Sequence, residues 1–140
     1  GYLDEVRLSN TARYSGTFTP NSVTTTTTTV TRDATGSFVS SVVVPQDATN
    51  KSSVGLVVLY KAETGTTTLN TTLVAKVRAN ASQAYQTLAL VDKGVFSTGI
   101  RIAIAPAIAV TAGQALSYEI SFAGQSNSVE TRVYGVAMTY

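Results

Sequence analysis

Apolar and polar residues alternate at period two along most of this chain, and no stretch carries the 3.6-residue period of a helix. The densest segment, residues 54–79, reads as two strands joined by a polar connection centred on Gly65. In the first strand both faces are apolar, with Leu56, Val58 and Tyr60 on one and Val57 and Leu59 on the other. That pattern predicts a central strand covered on both sides. In the second, Leu73, Ala75, Val77 and Ala79 alternate with Val74, Lys76 and Arg78, so one face is buried and the other wet.

The same grammar runs through the rest of the chain. Residues 1–9 alternate, with Tyr2, Val6 and Leu8 on one face. Six consecutive threonines, Thr24 to Thr29, predict an extended strand because Thr is β-branched and stiff; a flexible linker and an O-glycosylated stalk are the alternatives. Residues 33–36 form a turn signal that makes 24–44 a hairpin, its second strand at 37–44. Residues 45–53 and 80–83 read as polar loops, and 84–91 as a strand. Asp92-Lys93-Gly94 is a tight-turn signal, followed by a strand at 95–105 that bends at Gly99 and is broken or edged by Pro106. Residues 115–123 place Leu116, Tyr118, Ile120 and Phe122 inward, and 129–140 close the chain.

About eight such strands after Pro20 predict an all-β fold, a two-sheet antiparallel sandwich. A jelly roll is favoured over an immunoglobulin-like arrangement, since the chain has neither Trp nor Cys. Residues 1–20 read as an arm or the remnant of a preceding domain, and 21–140 as the sandwich.

At 140 residues the chain is one domain by length. It can bury about 70% of its unfolded surface, so it supports a core without staples. Having no Cys and no His, it lacks disulfides, thiolate metal sites, the usual general base and the commonest metal ligand. The net charge of +2, with no basic stripe, gives no electrostatic case for nucleic acid or anionic lipid. No apolar run is long enough to span a bilayer as a helix, so no membrane insertion is expected. The first residue is Gly1 rather than Met, as expected for a processed product or the visible part of something longer.

Catalytic chemistry is poorly supplied. A Ser-His or Cys-His triad is impossible. Asp4 and Glu5 are neighbours on a strand and point to opposite faces, while Asp33, Asp47, Glu63 and Asp92 fall in expected turns. No acidic cluster has a metal-site spacing, so no catalytic residue, metal or cofactor is assigned, and a non-enzymatic role is expected. Asn50, Asn70 and Asn80 stand in Asn-x-Ser/Thr sequons, which matter only in a glycosylating host. Tyr60, Tyr118 and Tyr134 sit mid-strand and are expected in the core. Arg78, Gln83, Tyr85 and Tyr140 are the candidate exposed contacts for a partner or glycan; the plainer alternative for Tyr85 is packing at a strand end.

The opening GYLDEVRLSNTARYSGTFTP resembles the last strand and exit loop of a laminin G-like, concanavalin A-type lectin domain. The matching positions are Gly1, Tyr2, Asp4, Glu5, Val6, Arg7, Leu8, Arg13, Tyr14, Phe18, Thr19 and Pro20. The family's sugar and calcium sites would lie upstream and are not carried over. Most of residues 54–140 is similar to a module that follows laminin G-like domains in structural proteins of marine bacteriophages, on LVVLYKAETGTTTLNTTLVAKVRA, LVDKGVFSTGIRIAIA and ALSYEISFAGQSNSVETRVYGVAMTY. The resemblance implies a virion, extracellular adhesion module of the fibre-like kind, attaching to a host surface or glycan. It implies identical subunits as partners, a homotrimer by analogy with fibres, alongside other virion proteins. A capsid-decorating or filament-forming subunit is one alternative, and an accessory module of a secreted carbohydrate-active enzyme is another. Tyr2, Val6 and Leu8 would then arm a strand that inserts beside a neighbouring chain.

Overall fold

The computed structural model describes residues 35–140. Tyr2, Val6, Leu8 and the threonine run, with the arm and half-hairpin expected there, lie outside the described residues. Eight strands follow in order: β1 (Gly36–Val39), β2 (Lys51–Thr64), β3 (Leu73–Arg78), β4 (Gln86–Leu88), β5 (Val91–Ser97), β6 (Ile100–Gly113), β7 (Ser117–Phe122) and β8 (Glu130–Thr139). They form two antiparallel four-stranded sheets, ordered β1-β7-β3-β4 and β5-β6-β2-β8. This is the all-β, two-sheet sandwich that the period-two pattern predicts.

The core lies between the sheets and is built from alternate residues. β2 sends Leu56, Val58 and Tyr60 inward, and β3 sends Leu73, Ala75 and Val77, with Ala79 just beyond it. Leu116, just ahead of β7, and Ile120 within it are fully buried, with Tyr118 and Phe122 packed against them, as the alternation requires. Register fixes the layering within the second sheet. Leu56 lies between Ala105 and Met138, and Val58 between Ala103 and Val136. Large side chains on β2 thus stand beside alanines on β6, which lets the facing layers interdigitate at close-packed density.

Only one side of β2 is covered among the described residues. Val57 and Leu59, paired with Ile104 and Ile102 on β6, point away from the core and are half-buried by their neighbours on the same face. The covering expected on both sides is therefore present on one. The outer face of the first sheet is different in kind. There Lys76 donates to Glu119 at 2.7 Å, beside Ser121 and Thr87.

Several expected boundaries move, each for a local reason. The strand expected at 37–44 ends at Val39. At Ser40 the ladder to β7 changes hands: the Ser40 N–H reaches the Tyr118 carbonyl, but the Tyr118 N–H is taken by the Ser40 hydroxyl at 3.0 Å. Pairing resumes only at the isolated bridge from Val43 to Leu116. The turn expected at Asp92-Lys93-Gly94 is instead a bulge inside β5, with Gly94 at φ 105°, open to glycine and hostile to other residues. The hairpin turn falls at Thr98-Gly99. Pro106 does not break β6, which runs through it. β5 reaches only as far as Ile104, so Pro106 lies on an unpaired side, next to an irregularity in the β2 register. The strand expected at 84–91 shrinks to β4. Tyr134 is not a core residue: β8 slips one residue between Val133 and Gly135, and the extra residue swings out to donate to Glu63 at 2.8 Å.

One polar network ties three strands at the rim. The Tyr60 hydroxyl donates to Asp92 Oδ2 at 3.0 Å, Arg101 Nε donates to the same oxygen at 2.6 Å, and the Gly94 N–H donates to Oδ1 at 2.7 Å. The Arg101 guanidinium above all, helped by the Gly94 and Tyr60 bonds and opposed by burial, holds the Asp92 carboxyl below its usual range. A carboxyl whose folded value is depressed favours the ionised native state. Its stabilisation is complete above the unfolded value of ~3.9 and is lost as pH falls through the folded value. Acid titration of the thermal midpoint is expected to show this loss, and Asp92→Asn to be weaker at neutral pH and flatter through the acid range. In the core, Leu56→Ala is expected to cost about 2–5 kcal/mol in urea unfolding. Val74→Ala, on the wet face of β3, should cost under about 1 kcal/mol.

Candidate functional site

Arg78 ends β3, and the chain turns at once into residues 79–85. Asn80 shapes that turn: its Oδ1 accepts the Ser82 N–H at 2.9 Å and its carbonyl accepts the Gln83 N–H at 3.1 Å. The turn is fastened from the other side by Gly113. A Cβ there would stand 2.3 Å from the Ala79 carbonyl oxygen, so only glycine allows the two backbones to meet. The Ala79 carbonyl accepts the Ala115 N–H at 2.9 Å.

Within this frame the structure brings together three of the four candidate contacts. The Arg78 guanidinium lies 4.4 Å from the centroid of the Tyr85 ring. Its Nε donates to Ser117 Oγ at 3.1 Å, and its Nη1 to the carbonyls of Ala81 at 3.0 Å and Gln83 at 3.3 Å. The Tyr85 hydroxyl shares a 2.9 Å hydrogen bond with the same Ser117 Oγ. Stacking and hydrogen bonding together fix the plane of the guanidinium. Ser117 alternates with the inward Leu116 and Tyr118, a position that points to water, yet it is only 1% exposed because Arg78 and Tyr85 close over it. No sequence signal marks it; its burial depends on the loop folding back.

Tyr140 stands apart from this cluster but at the same end of the sandwich. Its ring lies 5.7 Å from Lys51 Nζ, and Lys51 pairs with Gly113, which abuts Ala79. Lys51 is itself bound to Asp47 at 2.6 Å and to Thr49 at 2.9 Å. The chain reaches β1 from the opposite end, where Gly36 pairs with Phe122 and the Thr35 hydroxyl accepts the Gln125 N–H at 3.2 Å.

The charges around the site are unevenly committed. All five described carboxylates, Asp47, Glu63, Asp92, Glu119 and Glu130, lie in ion pairs. Lys51 holds Asp47 down to about 2, Lys61 and Tyr134 hold Glu63 low, and Lys76 with Ser121 does the same for Glu119. Arg78 has no carboxylate partner among the described residues; its Nε and Nη1 are held by a hydroxyl and two carbonyls. The Gln83 side chain is exposed beside it. The arrangement offers a fixed cation edge and an amide to an acceptor-bearing ligand.

The sequons differ in what they would cost. Asn70 spends its amide on Leu90, donating to the carbonyl at 2.9 Å and accepting the N–H at 2.8 Å, so a glycan there would break a fixed pair. Asn80 shapes the turn, and Asn50 is exposed. Among the described residues no cluster of acids could hold a metal ion. No family model, curated protein or solved structure matches the chain.

Ser117 is the shared partner of the Arg78 guanidinium and the Tyr85 hydroxyl. Ser117→Ala is expected to cost about 1–3 kcal/mol, since it orphans a guanidinium N–H and loosens the loop. Faster amide exchange at Ser82, Gln83 and Ala115, with β2 and β6 unchanged, would check it.

Proposed function

We propose that this domain is a non-enzymatic structural and adhesion module of a virion, fibre-like, assembling with identical subunits and attaching to a host-surface glycan. The observation that carries the reading is a polarity. Arg78, Gln83 and Tyr85 gather on a fastened loop at one end of the sandwich, while the chain reaches β1 from the other. A module built this way presents its cation edge at the end opposite to Thr35 and Gly36, where β1 begins. Loops on a rigid β scaffold are where binding residues concentrate. The resemblance of residues 1–20 to a lectin end, and of 54–140 to a phage structural module, supports the same reading.

The state of the carboxylates supports a role without catalysis. A general acid needs its affinity for protons raised toward working pH. Asp47, Glu63, Asp92 and Glu119 are all pulled the other way by cations and hydrogen bonds. They are built to stay charged and to hold strands.

A ligand with a carboxylate or sulfate beside hydroxyls fits the Arg78 edge. The chain, immobilised and exposed to panels of acidic and neutral oligosaccharides, is expected to retain acidic ones. Arg78→Ala should weaken binding about 10- to 100-fold, the worth of a charge-assisted hydrogen bond. Gln83→Ala, which leaves every loop bond in place, should weaken it less. Retention of neither panel, or equal retention by both variants and the parent, would refute the reading.

A further inference from the structure

The outer face of the β5-β6-β2-β8 sheet is apolar where the outer face of its partner sheet is charged. Val57 lies between Ile104 and Ala137, and Leu59 between Ile102 and Gly135. Leu59 rests its side chain over Gly135, where a Cβ would sit 3.6 Å from Cδ1. Phe96, 59% exposed, borders the same groove, which has a volume of ≈ 290 Å³ and is also lined by Ile102 and Ala137. On the other sheet the equivalent rows carry Lys76, Glu119, Ser121 and Thr87, with Val74 and Val39 interspersed among them. The outer face of the β5-β6-β2-β8 sheet is thus the more continuously apolar of the two.

We infer that this face closes against identical copies of the chain, with Val57, Leu59, Ile102 and Phe96 at the centre of the contact. Two observations select a second copy as the occupant. The first is charge. The polar border at one end of the face is Lys61 with Glu63 at 2.7 Å, and Arg132 with Glu130 at 2.9 Å. These charges cancel, so the border favours neither an acidic nor a basic partner and sets up no net repulsion between copies. The second is area. The four strands hold 14, 14, 10 and 7 residues. At ~3.3 Å per residue and ~4.8 Å between strands, the whole face, apolar centre and polar border together, covers about 700 Å². A stable protein interface buries about 800 Å² per partner, and homo-oligomer contacts are the more apolar class.

The inference deepens the proposed function by placing its self-association on one surface, and it is read without any ligand. Failure of glycan binding would leave it standing, and its own failure would leave the Arg78 site standing. The test is independent of loop chemistry: light scattering and analytical ultracentrifugation of the full 140-residue chain at micromolar concentration. The parent is expected at a multiple of its 14.6 kDa mass. Leu59→Lys should move it to the single-chain mass with its β-sheet circular dichroism retained, because the side chain replaced lies outside the core. Gly135→Lys provides a second charge on the same face without removing an apolar group, and decides the matter should Leu59→Lys fold poorly. Thr87→Lys, on the outside of the other sheet, should leave the mass unchanged. A parent at the single-chain mass would overturn the inference, leaving this face to the chain's own residues or to a different protein. So would an oligomer that withstands both Leu59→Lys and Gly135→Lys.

Discussion

Burial of Leu56, Val58 and Tyr60 on one side of β2 sets the geometry of everything around them. β2 is paired along most of its length on both edges, to β6 and to β8. Its inward residues therefore dictate which residues of those strands also face inward: Ala103 and Ala105 on one side, Val133, Val136 and Met138 on the other. A slip of one residue would turn each of these sets into water. The two places where β8 departs from strict register, near Tyr60 and near Thr64, absorb extra residues without losing that orientation. The first sheet then has only to offer a complementary layer, and Leu73, Ala75, Val77 and Ile120 supply it.

The strands were legible in the sequence wherever a single face was buried, because period two is then written directly in the residues. β3 and β7 are the clearest cases. Turns were less legible, because a turn signal reports local chemistry while a sheet imposes distant partners. Asp92 shows the competition. Its Oδ1 accepts the Gly94 N–H, as a turn-forming Asp does, but its Oδ2 is drawn to Tyr60 and Arg101 on neighbouring strands. The local turn survives as a bulge within β5. Pro106 is a similar case: its missing N–H excludes it from a doubly paired position, not from the stretch of β6 beyond the reach of β5.

At the loop end, Arg78, Gln83 and Tyr85 could be picked out because each is a large polar or aromatic group near a loop signal. Ser117 could not, since its place in the alternation points to water. It is buried by two side chains whose positions depend on the Asn80 turn and on the approach of Gly113 to Ala79. Tyr134 failed for a related reason. Alternation counts residues, and one bulge changes the count. Sequence reading thus reached the residues that form the cluster but not the one that joins them.

The double-sided apolarity of β2 remains the feature that two sheets alone do not satisfy. A sandwich of two layers has one interior, and β2 can send only alternate residues into it. Val57 and Leu59 belong to the other set, and they are matched across strands by Ile102 and Ile104 rather than by polar groups. Were this face meant for water, the cheapest arrangement would be the one found on the first sheet, where Lys76 and Glu119 occupy the corresponding row. Keeping four large aliphatic groups together on an outer face costs solubility unless a third layer covers them. The polar loop end and the apolar sheet face also lie on different sides of the domain. Covering the second would leave the Arg78 edge open, so the proposed association and the proposed attachment would not compete for surface.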